Sequence, residues 1–231
     1  MSGPVALVGS GEYLTVMTET EGLLLQGRPP RYVQLPTAAA PEGDESLARW
    51  VALGRQQAAR LGVEAVPLVV RDRDDADNED LASLVDGAGL VYLSGGNPPY
   101  LAATLRGTRV WEAIRRAWEG GAALAGCSAG AMALTSWVPD IRQPLAEPQP
   151  GLGVVGHLQV IPHFDRFVEW MPDLVGHYLG RLPDGVTLLG VDEDTALVGT
   201  DGTWTVHGRQ SVWVLTHEGR TRYGAGDVVP V

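Results

Sequence analysis

The chain has no lysine: all 17 of its basic residues are arginine. That absence excludes a Schiff-base lysine, a Ser–Lys dyad, a pyridoxal-phosphate attachment site and a Walker A lysine. A single cysteine, Cys127, leaves no internal disulfide framework and no Cys-rich zinc or iron–sulfur site. No metal or organic cofactor is expected. Nor does any apolar run approach the ~18 residues of a membrane span. Met1-Ser2-Gly3-Pro4 passes directly into Val5-Ala6-Leu7-Val8, without the basic and long apolar regions of a signal peptide, so a cytoplasmic location is expected. A basic stripe is also missing. With 28 acidic residues and a net charge of −11, nucleic acid and membrane surfaces are unexpected partners, and the acidity reads as a solubility feature of the surface.

What is present is an alternation of strand-like and helix-like segments over 231 residues, of which 45% are hydrophobic. Val5–Val8, Arg31–Leu35, Val63–Val70, Leu90–Leu93 and Ala122–Ala125 read as buried strands. Helical spacing separates them over Thr15–Gln26, Ser46–Leu61 (with Ser46 as N-cap), Asn78–Val85, Tyr100–Leu105 and Val110–Trp118. Right-handed crossovers then imply a mostly parallel sheet with helices on both faces. After Leu158–Ile161 and a helix over Val168–Leu182 come Val186–Val191, Thr195–Val198, Thr203–Val206, Val212–Thr216 and Asp227–Val229, which suggest a C-terminal antiparallel meander. No linker splits the chain, so one α/β domain over residues 1–231 is expected.

The central feature is Gly126-Cys127-Ser128-Ala129-Gly130, a Gly-x-Ser-x-Gly between an apolar strand and a small-residue helix. Such a turn holds its serine outward in a strained conformation, with the next N–H at the helix start able to meet an oxyanion. Without lysine, the base for a serine nucleophile is most simply histidine. His207 and His217 lie in the C-terminal meander and read as surface positions, and His177 lies inside a helical segment. His157 would stand ~20 Å from His163 along an extended strand. His163 follows the strand Leu158–Ile161 and Pro162, at a carboxyl end comparable with that of Ser128. The carboxylate behind the histidine stays open among Asp140, Glu147, Asp165 and the cluster Asp192-Glu193-Asp194. Gly95-Gly96 is suited to a second oxyanion donor. Gly9-Ser10-Gly11 lacks the third glycine of a dinucleotide fingerprint, because Leu14 stands there. Cys127, beside the exposed position, reads as a buried packing residue.

Together, Gly126-Cys127-Ser128-Ala129-Gly130-Ala131, Ser94-Gly95-Gly96-Asn97, Pro162-His163-Phe164 and Gly190-Val191-Asp192-Glu193-Asp194-Thr195-Ala196 make the chain resemble the peptidase E / cyanophycinase family of serine peptidases. The resemblance implies a class I glutamine amidotransferase-like fold, Ser128 as nucleophile, His163 as base, and an oxyanion hole from the Gly96 and Ala129 backbone. It implies Asp140 as the acid, with Glu147 next, whereas related amidotransferases would use Asp165. Asn97 and Arg166 would bind substrate, with Arg142 a second arginine able to meet a carboxylate. The chain departs from cyanophycinases in having Arg166 alone after His163-Phe164, and a proline after Asn97. The expectation is a peptidase E-like dipeptidase acting on small peptides, including those with N-terminal aspartate. A homodimer is compatible with it. An amidase or esterase using the same serine, or a non-catalytic binding module on the same fold, are the alternatives.

Overall fold

The computed structural model describes residues 1–140, 143, 146–170 and 174–231. Its strands are β1 (Val5–Val8), β2 (Arg31–Leu35), β3 (Glu64–Pro67), β4 (Leu90–Leu93), β5 (Ala123–Cys127), β6 (Trp137–Val138), β7 (Gln149–Pro150), β8 (Leu158–Ile161), β9 (Thr187–Val191), β10 (Thr195–Thr200), β11 (Thr203–Gly208), β12 (Ser211–Thr216), β13 (Gly219–Gly224) and β14 (Val228–Val229). The helices are α1 (Thr18–Leu25), α2 (Asp44–Leu61), α3 (Arg73–Ala76), α4 (Glu79–Ser83), α5 (Pro98–Leu105), α6 (Arg109–Glu119), α7 (Ala129–Ala133), α8 (Phe164–Trp170) and α9 (Leu174–Leu179). Among the described residues, no helix is long and apolar enough to cross a membrane.

Eight strands form one sheet in the order β14-β11-β10-β1-β5-β4-β2-β3. From β1 to β3 the neighbours are parallel; β10, β11 and β14 are antiparallel. The parallel strands β1, β4 and β5 are buried along their whole length, as continuous Val/Leu/Ala runs covered on both faces require. A second sheet has the order β13-β12-β9-β8, with β8 and β9 parallel. The C-terminal antiparallel strands are thus divided between the two sheets.

The element boundaries shift for local reasons. The segment expected as a helix over Thr15–Gln26 opens with a short 3-10 turn at Thr15–Met17 before α1. The helix expected from Ser46 begins at Asp44, with Gly43 at its N-cap. Ser46 instead donates its hydroxyl to Glu42 at 2.6 Å. Asn78 caps α4, accepting from the N–H groups of Asp80 and Leu81 at 2.8 and 3.1 Å. The helix expected over Val168–Leu182 is instead α8 and α9, and residues 171–173 lie outside the described ones.

Strand order positions the site. β5 lies between β1 and β4, in register Val8↔Cys127 and Leu93↔Gly126. The segments that leave β1, β4 and β5 at their carboxyl ends therefore emerge side by side: Gly9–Tyr13, Ser94–Asn97 and Ser128. This is where open parallel sheets place their sites.

Candidate active site

Ser128 links β5 to α7 with φ 49° and ψ −106°, a conformation that L-residues adopt only when their surroundings enforce it. Its N–H donates to Val8 O at 2.9 Å, and its carbonyl accepts from Met132 N–H at 3.1 Å, so strand and helix both hold it. The flanking glycines are required by packing. A Cβ on Gly126 would collide with the Gly130 backbone, and one on Gly130 with the Leu93 carbonyl. Ala129 is the first residue of α7, so its N–H has no acceptor within the helix.

His163, also at positive φ (50°), stands between β8 and α8. It is held by its neighbour: the buried Phe164 ring lies where a Cβ on Gly190 of β9 would be. His163 Nε2 lies 3.1 Å from Ser128 Oγ, and His163 Nδ1 lies 2.9 Å from Glu193 Oε1. The imidazole thus bridges a hydroxyl and a carboxylate, with its side chain 39% and that of Glu193 34% exposed.

The carboxylate at the histidine is therefore that of Glu193, in place of the expected Asp140. The reason is strand pairing. β8 and β9 run parallel in register Ile161↔Gly190, so the residues just past both strands leave the sheet together. Two residues past Ile161 is His163; three past Gly190 is Glu193. Asp140 follows β6 in the two-stranded β6/β7 ribbon. Glu147 is exposed, 4.0 Å from Arg181 Nη2. Asp165 serves one layer behind, accepting from Glu193 N–H at 2.9 Å and from Gln210 Nε2 at 3.3 Å. Gln210 Nε2 also donates to the Glu193 carbonyl at 3.0 Å. The buried Asp192 accepts from Trp213 Nε1 at 3.0 Å and from Ser211 N–H at 3.2 Å. Burial raises its carboxyl above the usual range. Asp194 stands 3.8 Å from Arg209.

The glycine turn after β4 lies against the serine. A Cβ on Gly95 would stand 3.4 Å from Ser128 Cβ. Gly96 has φ 138°, and a Cβ there would strike the Ala38 carbonyl, so only glycine fits. Gly95 N–H is already bonded, to Glu12 Oε1 at 2.9 Å. Asn97 caps α5, its side-chain oxygen accepting from Tyr100 N–H at 3.0 Å, which commits that oxygen to the helix. Arg166 Nε sits 3.7 Å from Glu193 Oε2 and 4.0 Å from Asp165 Oδ2, with its side chain 55% exposed. Arg142 lies outside the described residues.

Cys127 is buried and, besides packing, donates its thiol to Glu12 Oε2 at 2.9 Å. Burial foremost, then the adjacent Glu12 carboxylate, raise the thiol well above its ordinary range. A thiol kept protonated in this way is a poor nucleophile. Glu12 and Gln210 were not legible as site residues; the small-residue run before Glu12 is the only local signal. His157 packs 6.0 Å from the Trp204 ring, and burial lowers the half-buried His207 below the usual imidazole range. Among the described residues, no group of three or more His, Cys, Asp or Glu side chains is arranged to hold a metal ion.

A strained serine, a histidine bonded to it and a carboxylate behind the histidine, all at strand carboxyl ends, define the serine-hydrolase class of α/β proteins. Within that class the chain belongs to peptidase family S51, whose model matches residues 5–207. This is the family of serine peptidases to which peptidase E and cyanophycinase belong. A cyanophycinase from Synechococcus elongatus is 32% identical over 170 residues, covering 67% of this chain and 50% of its own. One from Trichormus variabilis is 29% identical over 189 residues, covering 74% and 61%. The chain thus spans about half the length of the first of these relatives. A crystal structure of a peptidase from an acI-B1 actinobacterium superposes with a TM-score of 0.92 at 43% identity, covering 100% of this chain and 98% of that one. A candidate peptidase E from Listeria monocytogenes EGD-e shares the fold, with a TM-score of 0.66 at 18% identity over 90% of this chain and 99% of its own.

Proposed function

We propose that this chain hydrolyses small peptides by a Ser128-His163-Glu193 mechanism. The observation that carries the reading is the doubly bonded His163, 3.1 Å from Ser128 Oγ on one side and 2.9 Å from Glu193 Oε1 on the other. Ser128 Oγ attacks the peptide carbonyl carbon while His163 Nε2 takes its proton. Glu193 accepts from Nδ1–H, which fixes the tautomer that leaves Nε2 basic and stabilises the imidazolium once formed. The Gly96 and Ala129 N–H groups hold the oxyanion. As the tetrahedral species collapses, His163 returns the proton to the leaving amine. Water, activated by the same histidine, then frees the acyl group from Ser128.

The substrate class we propose is a dipeptide or other short peptide, with N-terminal aspartate as the favoured first residue. Arg166, with its side chain 55% exposed and its Nε 3.7 Å from Glu193 Oε2, is the cation beside the site for such a carboxylate. The lone arginine after His163-Phe164 argues against a polymer rich in arginine.

The test is a peptide panel together with a fluorophosphonate probe, on wild type and Ser128→Ala. Wild type should cleave short peptides and carry the probe on Ser128. The substitution should abolish labelling and lower peptide turnover by ~10⁴-fold or more. Peptide cleavage that survives Ser128→Ala would sink the mechanism. Turnover of esters or simple amides without any peptide cleavage would replace peptidase by amidase or esterase.

A further inference from the structure

The Gly-Ser-Gly run after β1 has no part in the mechanism above, yet the two residues that follow Gly11 grip the glycine turn. Tyr13 Oη lies 2.6 Å from Ser94 Oγ, and both residues are buried. Glu12 Oε1 accepts Gly95 N–H at 2.9 Å, while Oε2 accepts the Cys127 thiol at 2.9 Å. One carboxylate thus joins the ends of three adjacent strands: β1, which leads to Glu12; β4, which leads to Gly95; and β5, which ends at Cys127 beside the nucleophile. The small residues of the run allow this approach. A Cβ on Gly9 would strike the Asp192 carbonyl, and one on Gly11 would stand 2.6 Å from Asp194 Oδ1, so the loop is wedged against the segment that carries Glu193. Gly9 N–H also donates to Thr195 O at 2.9 Å.

We infer that Glu12 is a positioning residue for the oxyanion hole, whose carboxylate occupies Gly95 N–H and fixes the turn so that Gly96 N–H is the donor offered to substrate. The inference rests on Ser128 acting as the nucleophile. Its physical basis is the geometry that hydrogen-bond catalysis demands. An oxyanion donor helps only if it is held in place before charge develops, and a glycine pair has no side chains of its own to hold it. Cys127 completes the brace. A thiol kept protonated by burial remains a donor, so the second carboxylate oxygen is anchored at neutral pH.

The brace requires an acceptor of glutamate length, not a charge, and that separates it from other roles. The probe is a fluorophosphonate, whose reaction forms the Ser128 Oγ–P bond and breaks P–F. The serine proton passes to His163 and fluoride leaves. Labelling rates are measured for wild type, Glu12→Ala, Glu12→Asp, Glu12→Gln and Ser128→Ala, with thermal melts of each. Glu12→Ala and Glu12→Asp should label about 10- to 100-fold more slowly. Glu12→Gln, whose amide oxygen still reaches Gly95 N–H, should recover most of that loss. Glu12→Asp keeps the inference testable if the alanine variant fails to fold. Wild-type labelling in Glu12→Ala, or slow Glu12→Gln beside fast Glu12→Asp, would overturn it. Labelling that persists in Ser128→Ala would instead remove the serine mechanism beneath it.

Discussion

The two sheets contribute to the site in different currencies. The large sheet supplies main chain. Ser128 is held at its strained φ by backbone bonds to β1 and α7, and the glycine turn and the Ala129 N–H are backbone features at the ends of wholly buried strands. The smaller sheet supplies side chains. His163 and Glu193 project from the ends of β8 and β9 and are more than a third exposed, steadied where Asp165 accepts from the Glu193 N–H and Gln210 donates to the Glu193 carbonyl. The Ser128 side should therefore be sensitive to any added Cβ and, among nearby side chains, to the Glu12 carboxylate that braces the glycine turn. The base side should be sensitive to one carboxylate and tolerant of small packing changes.

The sharpest break of this contrast is at the acid. Glu193→Gln should lower kcat by about 10³- to 10⁴-fold, because the amide no longer enforces the correct tautomer or stabilises the imidazolium. Asp140→Asn should stay within about threefold of wild type, well inside the range of substitutions remote from the chemistry. Equal losses in the two, measured on the same peptide, would erase the distinction between β9 and the β6/β7 ribbon.

Next comes the main-chain side. Gly96→Ala should slow fluorophosphonate labelling by about 10²- to 10³-fold while circular dichroism stays native. A Cβ at φ 138° can be relieved only by moving the turn, and with it an oxyanion donor. Unchanged labelling would mean that the hole is not built from this turn.

The smallest expected effect lies beneath the large sheet. Buried Glu21 accepts from Tyr32 Oη at 3.0 Å, and burial pushes its carboxyl up to about 7. The folded protein holds this proton more tightly than the unfolded chain does. Its contribution is therefore complete below the ordinary glutamate pKa and is lost as pH rises from about 4.5 to about 7. Glu21→Gln should accordingly gain stability relative to wild type by up to about 3 kcal/mol above pH ~8 and gain none from this source near pH ~4. Urea melts at both pH values measure the difference. A pH-independent difference would place the ionisation elsewhere.

How much of this was legible before folding can be argued from particular residues. Ser128 was, because Gly-x-Ser-x-Gly encodes a local geometry: the glycines at 126 and 130 make room for their own close contact. His163 was, because it follows a recognisable strand at the right end. The Ala129 N–H was legible as an oxyanion donor from the same turn, and Gly96 was singled out by the family resemblance. That the first five strands run parallel followed from their alternation with helices, but their order did not. Glu193 was visible only as one of several acids, and Asp140 was favoured through the family resemblance. Glu12 was marked by nothing beyond the small-residue run before it, and the capping of α5 by Asn97 was not foreseen.

What the sequence determined by itself was the set of local conformations, namely the strained serine turn, the glycine turn, and the absence of lysine that leaves histidine as base. Tertiary structure alone decided which carboxylate and which backbone groups those features meet. Pairing β8 with β9 in register Ile161↔Gly190 brings residue 193 to residue 163, and setting β1 beside β5 brings Glu12 to Cys127 and Gly95. Strand partnership is set by how two helical layers and two sheets bury their apolar faces together. That is a property of the whole chain, and no short stretch around Glu12 or Glu193 contains it.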